Sequence, residues 1–361
     1  MGVRSTNRAN QGPRAESLNT YFHNGHLSQF YNSQFRDSKH NNPAAGVFSA
    51  TGGTIDNSSR SGWTLHKFFS TGPQSFTVSS GTKSCEILLV AGGGGAGSGA
   101  GGGGGGGGGV LYWNAMPFVG GGSYAVGVGT AGISPGPGSL AGRQGGSTTI
   151  ANGGVTYTAD GGGWGLQGGT SATPGGPGGS GGGSNGSPGG AGGPGGTTTQ
   201  TPEGSATGYG NAGGKGYHSG GNFVNGGGGG GAGAVGADSG SGNYPQPTYS
   251  HGGAGTPISI TGSALYWAGG GGGSGHYTQS TAGNGGIGGG GGGAGNNNNG
   301  TGGGSALNSG QTGSARGGNF NGGDGGANTG GGGGANGGTG DPGSRSGNGG
   351  TGCLIIAYQP D

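Results

Sequence analysis

Charged residues are scarce in this chain, and apolar residues are few. Of its 361 residues, 6% are charged and 25% are hydrophobic, whereas an average domain has about 25% charged residues. Folding costs roughly 1–2 kcal/mol of backbone entropy per residue, and so few apolar side chains cannot offset that cost along the whole chain. The composition therefore excludes a conventional apolar core that includes every segment.

Acidic residues, cysteines and long apolar runs are also few or missing. The 10 acidic residues form no recognisable acid–base pair, so we expect no enzyme activity. Cys85 and Cys353 are too few for a disulfide framework; we expect two small buried apolar residues, with a bridge between them as the alternative. No apolar run approaches the length of about 18 residues that indicates a membrane span. The net charge of +2 is too small to indicate a nucleic-acid partner.

Glycine is the residue in excess, at 120 positions. Collagen requires glycine at every third position, and the unbroken run 101–109 excludes it. Disorder is the default for glycine-rich chains without a strict period. The alternative is polyglycine II, a helix without internal hydrogen bonds, whose backbone groups must all bond to neighbouring helices. Single apolar residues such as Trp164 and Phe223 interrupt the glycine and favour this ordered alternative.

Residues 1–45 differ from the rest, because glycine is scarce there and arginine and aromatic residues recur. The segment is too apolar for a plain tail and too short to fold alone. We therefore expect a docking arm on a larger assembly, and a terminal extension folded onto its own domain is the alternative. The candidate docking residues are Arg14, Tyr21, Phe22, Phe30, Tyr31 and Phe35.

Residues 46–160 have the pattern of β-structure. Short apolar segments separated by Gly, Pro and Ser turn residues occur at 63–69, 75–79, 85–91, 110–116, 123–128, 148–151 and 155–159. Asn152-Gly153 is a hairpin signal. This spacing predicts a small antiparallel β-sandwich. The apolar segment 352–359 resembles 85–91, as central strands do, and we expect it to complete the same sheet.

In residues 161–351, glycine is the most frequent residue and single apolar or aromatic residues interrupt it. We interpret the glycine runs 226–231, 269–273, 288–293 and 330–334 as helices that cross a bundle, and the polar segments as turns at its ends. Both ends of this insertion are anchored in the sandwich, which lowers the cost of loop closure. The predicted fold class is mainly β: a small antiparallel β-sandwich with an inserted polyglycine II helix bundle.

The polar segments of the glycine-rich region are the best candidates for recognition, because binding residues concentrate on loops held by a rigid scaffold. Tyrosine and tryptophan offer rigid contact area there. The candidate receptor-binding residues are Tyr209, Tyr217, His218, Tyr244, Tyr249, His251, Tyr266, Trp267, His276 and Tyr277. The alternative is that these aromatics cap the bundle ends or cover its sides. For the three histidines, metal binding is a further alternative.

No motif for phosphate, metal or RNA binding stands out from the composition. Around Lys215, a P-loop would need glycine at 209 and Ser or Thr at 216, where the chain has Tyr209 and Gly216. Three histidines near the N-terminus are expected to be polar surface residues: His23, His26 and His40. One Arg-Gly-Gly at 316–318 is a weak sign of RNA binding. We therefore expect no cofactor, no metal and no nucleic-acid partner.

Four segments, in order along the chain, carry a resemblance to known proteins: 48–55 (FSATGGTI), 66–69 (HKFF), 76–78 (FTV) and 88–95 (LLVAGGGG). They resemble the glycine-rich domain of structural proteins from bacteriophages, especially marine and cyanobacterial ones. Those chains similarly end in an apolar strand after a GGxG stretch, here 349–356 (GGTGCLII). The glycine bundle also resembles, in architecture alone, the polyglycine sandwich of tail-fibre tip adhesins from T-even-like phages.

The resemblance implies a virion protein, a tail-fibre or tail-tip component that contacts the host cell surface. Its partners would be other virion proteins through the arm at 1–45, copies of itself, as in a trimer, and a host surface glycan or protein. No membrane insertion is expected. Two alternatives stay open: a capsid decoration or head-fibre protein without specific receptor binding, and an ice-binding polyglycine protein, which would need a flat regular face.

Overall fold

The structure is a computed structural model, and it describes residues 46–136, 140–169, 173–186, 190–219, 223–240, 249–276, 281–296, 298–316, 319–338 and 343–361. The chain divides into two units, Met1–Val47 and Phe48–Asp361, and the fold below is that of the second. The predicted docking residues lie outside the described residues: Arg14, Tyr21, Phe22, Phe30, Tyr31 and Phe35.

The described residues contain β-strands and no α-helix. The first nine strands are β1 (Ser49–Thr51), β2 (Thr54–Asp56), β3 (Thr64–Phe68), β4 (Gly72–Ser80), β5 (Thr82–Val90), β6 (Val110–Val119), β7 (Ser123–Val128), β8 (Thr148–Asn152) and β9 (Val155–Ala159). The others are β10 (Gly190–Ala191), β11 (Thr207–Tyr209), β12 (Tyr217–Ser219), β13 (Phe223–Asn225), β14 (Thr256–Ile258), β15 (Leu265–Trp267), β16 (Gly275–His276), β17 (Ser314–Arg316), β18 (Asn319–Asn321) and β19 (Cys353–Tyr358).

Two antiparallel sheets form a sandwich. One has the strand order β1-β4-β7-β8-β9 and the other β11-β6-β5-β19-β3-β2. A first apolar cluster joins them, with Phe76 and Val126 from one sheet and Ile87 and Leu354 from the other. Edge-to-face contacts such as Phe76–Phe118, with ring centroids 5.1 Å apart, fill the space between the sheets. The predicted mainly β class with an antiparallel sandwich is confirmed.

Strand β19 lies in the middle of the six-stranded sheet, between β5 and β3. Its even-numbered residues, Leu354, Ile356 and Tyr358, belong to the first apolar cluster. Its odd-numbered residues belong to a second apolar cluster on the opposite face, which includes Ile355, Ile260 and Trp267. Both faces of β19 are therefore covered, and this explains its continuous apolar sequence.

The two cysteines are free and buried. Cys85 belongs to the first apolar cluster and Cys353 to the second, so they lie on opposite faces of the same sheet. Burial raises the pKa of the Cys85 thiol to about 12. A bridge between the two cysteines, the alternative that the sequence left open, is excluded by this placement.

The hairpin predicted at Asn152-Gly153 joins β8 and β9. Asn152 pairs with Val155, so the two turn residues are Gly153 and Gly154, with φ angles of 61° and 81°. Two positive φ angles are what a type I′ turn requires. The hairpin signal was correct, and the turn lies one residue further along the chain.

The glycine-rich segments are held by backbone hydrogen bonds that recur every third residue. The segment 103–109 illustrates this pattern. Its N–H donors bond in turn to three neighbouring segments: Gly103, Gly106 and Gly109 to 160–166, Gly104 and Gly107 to 227–230, and Gly105 and Gly108 to 330–333. Each of these seven bonds has a donor–acceptor distance between 2.8 and 3.0 Å, the ordinary length of a backbone hydrogen bond.

The carbonyl groups of the same segment accept hydrogen bonds from three further segments, again with a period of three residues. Gly103, Gly106 and Gly109 accept from 91–97, Gly104 and Gly107 from 180–183, and Gly105 from Gly271. The segment therefore has six bonded neighbours. A β-strand alternates between two neighbours with a period of two, so 103–109 is not bonded as a strand of a sheet. The bonded segments include 92–98 and 101–109, which lie within the range 46–160 that the sequence predicted as sandwich.

Close approach of the backbones explains why these positions are glycine. A Cβ atom on Gly105 would lie 2.1 Å from the carbonyl oxygen of Gly94, and one on Gly107 would lie 2.3 Å from that of Ala268. Real Cβ atoms are not found at such distances. Any side chain would therefore push two bonded segments apart.

The glycine-rich segments have one end at the sandwich, here called the base, and one far end. At the base, the Gly109 amide donates to Asp160, which follows β9, and the Gly109 carbonyl accepts from Ala91, which follows β5. At the far end, buried polar side chains bond to backbone groups of the turns: Asn336 Oδ1 accepts from the buried Gly99 amide at 2.6 Å. Ser and Asn side chains therefore bond to the backbone groups at the positions where the glycine segments end.

Candidate functional site

Two of the predicted recognition residues, Tyr209 and Tyr266, line one open groove at the base. Tyr209 ends β11, where it pairs with Val110 of β6, and Tyr266 is the middle residue of β15, where it pairs with Pro257. The groove has a volume of about 520 Å³. This tyrosine groove is lined by Gly208, Tyr209, Gly210, Asn211, Ala232, Gly233, Ala254, Gly255, Thr256, Pro257 and Tyr266.

The second apolar cluster positions both walls of the tyrosine groove. Tyr209 packs against this cluster and so does Leu265, the residue before Tyr266. Both tyrosines are half-buried, which leaves part of each ring accessible. Neither hydroxyl has a hydrogen-bond partner among the described residues. The groove is thus lined by two partly accessible tyrosines whose hydroxyl groups are unpaired in the described residues.

Asn211 supplies a fixed polar group in the tyrosine groove. Its Nδ2 donates to the carbonyl oxygens of Gly231 at 2.9 Å and Ala232 at 3.0 Å. These two bonds use both amide hydrogens and set the orientation of the side chain. The Oδ1 atom remains as a hydrogen-bond acceptor for a ligand.

The lining of the tyrosine groove carries no charged side chain. Arg60 and Glu86 are paired with one another: Arg60 forms two hydrogen bonds with Glu86, at 2.8 and 3.0 Å. Tyr112, which pairs with Thr207 of β11, donates to the same carboxylate at 3.1 Å. Burial, and then Glu86, raise the pKa of Tyr112 to about 12. Tyr112 therefore stays neutral near pH 7, and the lining of the groove contributes no charge of its own.

Trp267 is not available to a ligand. It is 0% exposed, belongs to the second apolar cluster, and its Nε1 donates to the Ile258 carbonyl at 3.4 Å. Its prediction as a receptor-binding residue is corrected to a packing role. The alternation within β15 explains the difference, because neighbouring residues of a strand point to opposite faces and Tyr266 lines the groove.

The remaining described candidates lie away from the tyrosine groove, in the part of the glycine-rich region nearer its far end. Tyr217 and His218 are in β12, and His276 is in β16. His276 Nδ1 lies 2.7 Å from the Gly337 carbonyl, to which it donates. His218 Nδ1 is buried and has no partner among the described residues. The last two candidates, Tyr244 and Tyr277, lie outside the described residues.

Tyr249 and His251 form a stacked pair, with ring centroids 5.1 Å apart and planes inclined by 7°. Tyr249 is 42% exposed. The Asn284 amide donates to His251 Nδ1 at 2.9 Å, which places the proton of the neutral ring on Nε2. Burial lowers the pKa of His251. The pair presents a flat, neutral surface at the side of the glycine-rich region.

The structure does not bring the three histidines together as one group. His218 and His276 each pair with Val224 from opposite sides, and His251 lies on a different segment. Among the described residues, no group of three or more potential metal ligands occurs.

Sequence reasoning missed the groove as a unit, although it named both tyrosines. Asn211, Thr256 and Pro257 had not been singled out. Asn211 follows Tyr209 after one glycine. A polar residue this close to an aromatic residue at the end of a strand is the sequence feature that could have indicated the groove. The juxtaposition of β11 with β15 depends on the glycine segments between them, whose sequences do not specify their neighbours.

No protein-family model matches the chain, and no curated protein matches it at the significance required of a relative. In the part of the chain that the structure describes, no helix is long and apolar enough to cross a membrane.

Proposed function

We propose that this chain is a structural protein of a bacteriophage virion, part of a tail fibre or tail tip, and that it contacts the host cell surface. The arm at 1–45 attaches it to other virion proteins. The sandwich is the base of a rigid scaffold, and the tyrosine groove on that scaffold binds a component of the host envelope.

The proposal includes the nature of the scaffold: the glycine-rich segments are polyglycine II helices packed side by side. A helix with roughly three residues per turn directs successive backbone groups to different neighbours. The three-residue rhythm of the bonds made by 103–109, and its six neighbours, support this geometry. The short distances from Gly105 and Gly107 to neighbouring carbonyl oxygens support it further.

One observation carries the recognition part of the proposal, namely that Tyr209 and Tyr266 line a single groove whose lining also includes four glycines, at positions 208, 210, 233 and 255. Tyrosine gives a large contact area with little loss of conformational entropy. Glycine in the lining lets a ligand approach the main chain closely. Because the amides of Gly233 and Gly255 are already bonded to the carbonyls of Ala254 and Ile287, binding does not have to order these segments first.

Competition for the host surface tests this function. The full-length protein, added to host cells before the phage that carries it, is expected to slow adsorption, and Tyr266→Ala is expected to weaken this effect about tenfold. Ile133→Ala is the matched control, because Ile133 is 60% exposed and does not line the groove. Thermal unfolding of each variant checks that its fold is retained.

Two results would contradict the proposal. If the wild-type protein does not bind host cells, the proposed host contact is wrong. If Tyr266→Ala competes as well as the wild type, the tyrosine groove is not the site of that contact. Labelling of purified particles with an antibody against the chain gives its location. A signal on the head rather than the tail would favour a capsid decoration or head fibre.

A further inference from the structure

From the chemistry of the tyrosine groove, we infer that its ligand is a neutral saccharide and that Asn211 is the residue that fixes its orientation. The inference rests on the proposed host contact and narrows it to one class of ligand.

The absence of charge from the groove defines the class. A uronic acid, a phosphorylated sugar or a charged peptide side chain would lose hydration on entering the groove and would find no counter-charge among its lining residues. Arg60 does not supply one, because both of its terminal nitrogens already bond to Glu86. A neutral ligand does not incur this cost.

The groups that do line the groove match those of a pyranose ring. The rings of Tyr209, Tyr266 and Pro257 offer apolar surface for the C–H face of a sugar. Sugar hydroxyl groups are hydrogen-bond donors and acceptors, and the two tyrosine hydroxyl groups can bond to them in either role. The volume of about 520 Å³ lies within the range of small-molecule sites, roughly 300–1,000 Å³.

Asn211 determines the orientation in which a ligand can bind in the groove. Its Nδ2 atom already donates to the carbonyls of Gly231 and Ala232, so the side chain has only the Oδ1 atom, an acceptor, left for a ligand. The ligand must therefore place a hydroxyl donor at this point. Because the two carbonyl partners hold the side chain before the ligand arrives, a sugar that lacks this hydroxyl leaves Oδ1 unpaired and loses affinity.

Binding of the full-length protein to paired saccharides tests the inference. The probes are neutral hexose oligosaccharides and matched oligosaccharides that carry a uronic acid or a phosphate. We expect binding to a neutral member, with an affinity that is unchanged between about 50 mM and about 500 mM NaCl, because no ion pair contributes. Tyr266→Ala is expected to weaken this binding at least tenfold, Tyr266→Phe less, and Ile133→Ala not at all.

Treatment of host cells distinguishes the ligand class from the proposed function. Periodate, which cleaves vicinal diols of sugars, is expected to abolish binding of the protein to the cells, and protease treatment is expected to leave it intact. Selective binding to acidic members, or binding that protease abolishes, would overturn the saccharide inference, while groove-dependent adsorption would still support host contact. If the protein binds no cells at all, both proposals fall.

Discussion

At the scale of single residues, His66 is a fully buried titratable group within the sandwich. It is 0% exposed. Its Nδ1 lies 2.7 Å from the Gly52 carbonyl, to which it donates, so in the neutral ring Nε2 accepts from the Tyr358 hydroxyl at 3.3 Å. Burial lowers the pKa of His66 from its usual value of 6.5. The folded protein therefore holds this ring neutral and uses both nitrogens.

This burial predicts a loss of stability in acid. Because the pKa of His66 is lower in the folded than in the unfolded chain, the unfolded state binds more protons as the pH falls below 6.5. The free energy of unfolding is thus highest above that pH and decreases toward the folded-state pKa. Urea titrations between about pH 8 and about pH 4 measure this.

The substitution His66→Gln separates His66 from other acid-sensitive groups. Glutamine keeps a donor and an acceptor but does not titrate, so the decrease of stability below pH 6.5 should become shallower than in the wild type. His251, whose pKa burial also lowers, adds a decrease of the same sign, which His251→Asn should remove. Identical pH profiles for the wild type and His66→Gln would contradict the role assigned to His66.

At the scale of elements, the strands were predictable and the bonding of the glycine segments was not. Short apolar segments between turn residues located strands such as β5 and β7. Glycine has no side chain, so a run such as 103–109 does not encode its neighbours. The only local signals are the Ser and Asn residues at the far end, which mark where a segment stops.

A pair of glycine substitutions tests this bonding. Gly105→Ala places a methyl group 2.1 Å from the Gly94 carbonyl oxygen, and we expect it to lower the free energy of unfolding by about 3 kcal/mol or more. The control is Gly304→Ala, because a Cβ at Gly304 meets no atom within 4 Å. Replacing a glycine by alanine without strain raises the free energy of unfolding of a protein by about 0.4–1 kcal/mol. Equal stability of the two variants in urea unfolding would disprove the close packing of the segment 103–109.

At the scale of the whole molecule, sandwich and glycine-rich segments are expected to fold as one unit. Strand β19 is the last strand of the chain and lies at the centre of the six-stranded sheet, and the chain reaches it only after the glycine-rich region. The second apolar cluster includes Ile355 of β19 together with Ala232 and Ala268 from the glycine-rich segments. The sequence predicted that β19 is an apolar strand of the sandwich. It did not predict which residues of the glycine-rich segments pack against β19 in the second apolar cluster.

The substitution Ile355→Ala tests this coupling. Ile355 is 0% exposed, so we expect a loss of about 2–5 kcal/mol, with a single unfolding transition shared by the sandwich and the glycine-rich segments. Val155→Ala is the control, because Val155 is 51% exposed on β9 and its truncation should have little effect. Two separate transitions in Ile355→Ala, one for each region, would show that the regions fold independently.

Amide hydrogen exchange of the segment 103–109 is the most direct test of the central claim, that glycine backbone bonded on several sides forms the rigid scaffold. Every donor from Gly103 to Gly109 bonds to a neighbouring segment, so exchange is expected to be at least about a thousandfold slower than in a free peptide. Amides that exchange as fast as those of an unstructured peptide would contradict the account.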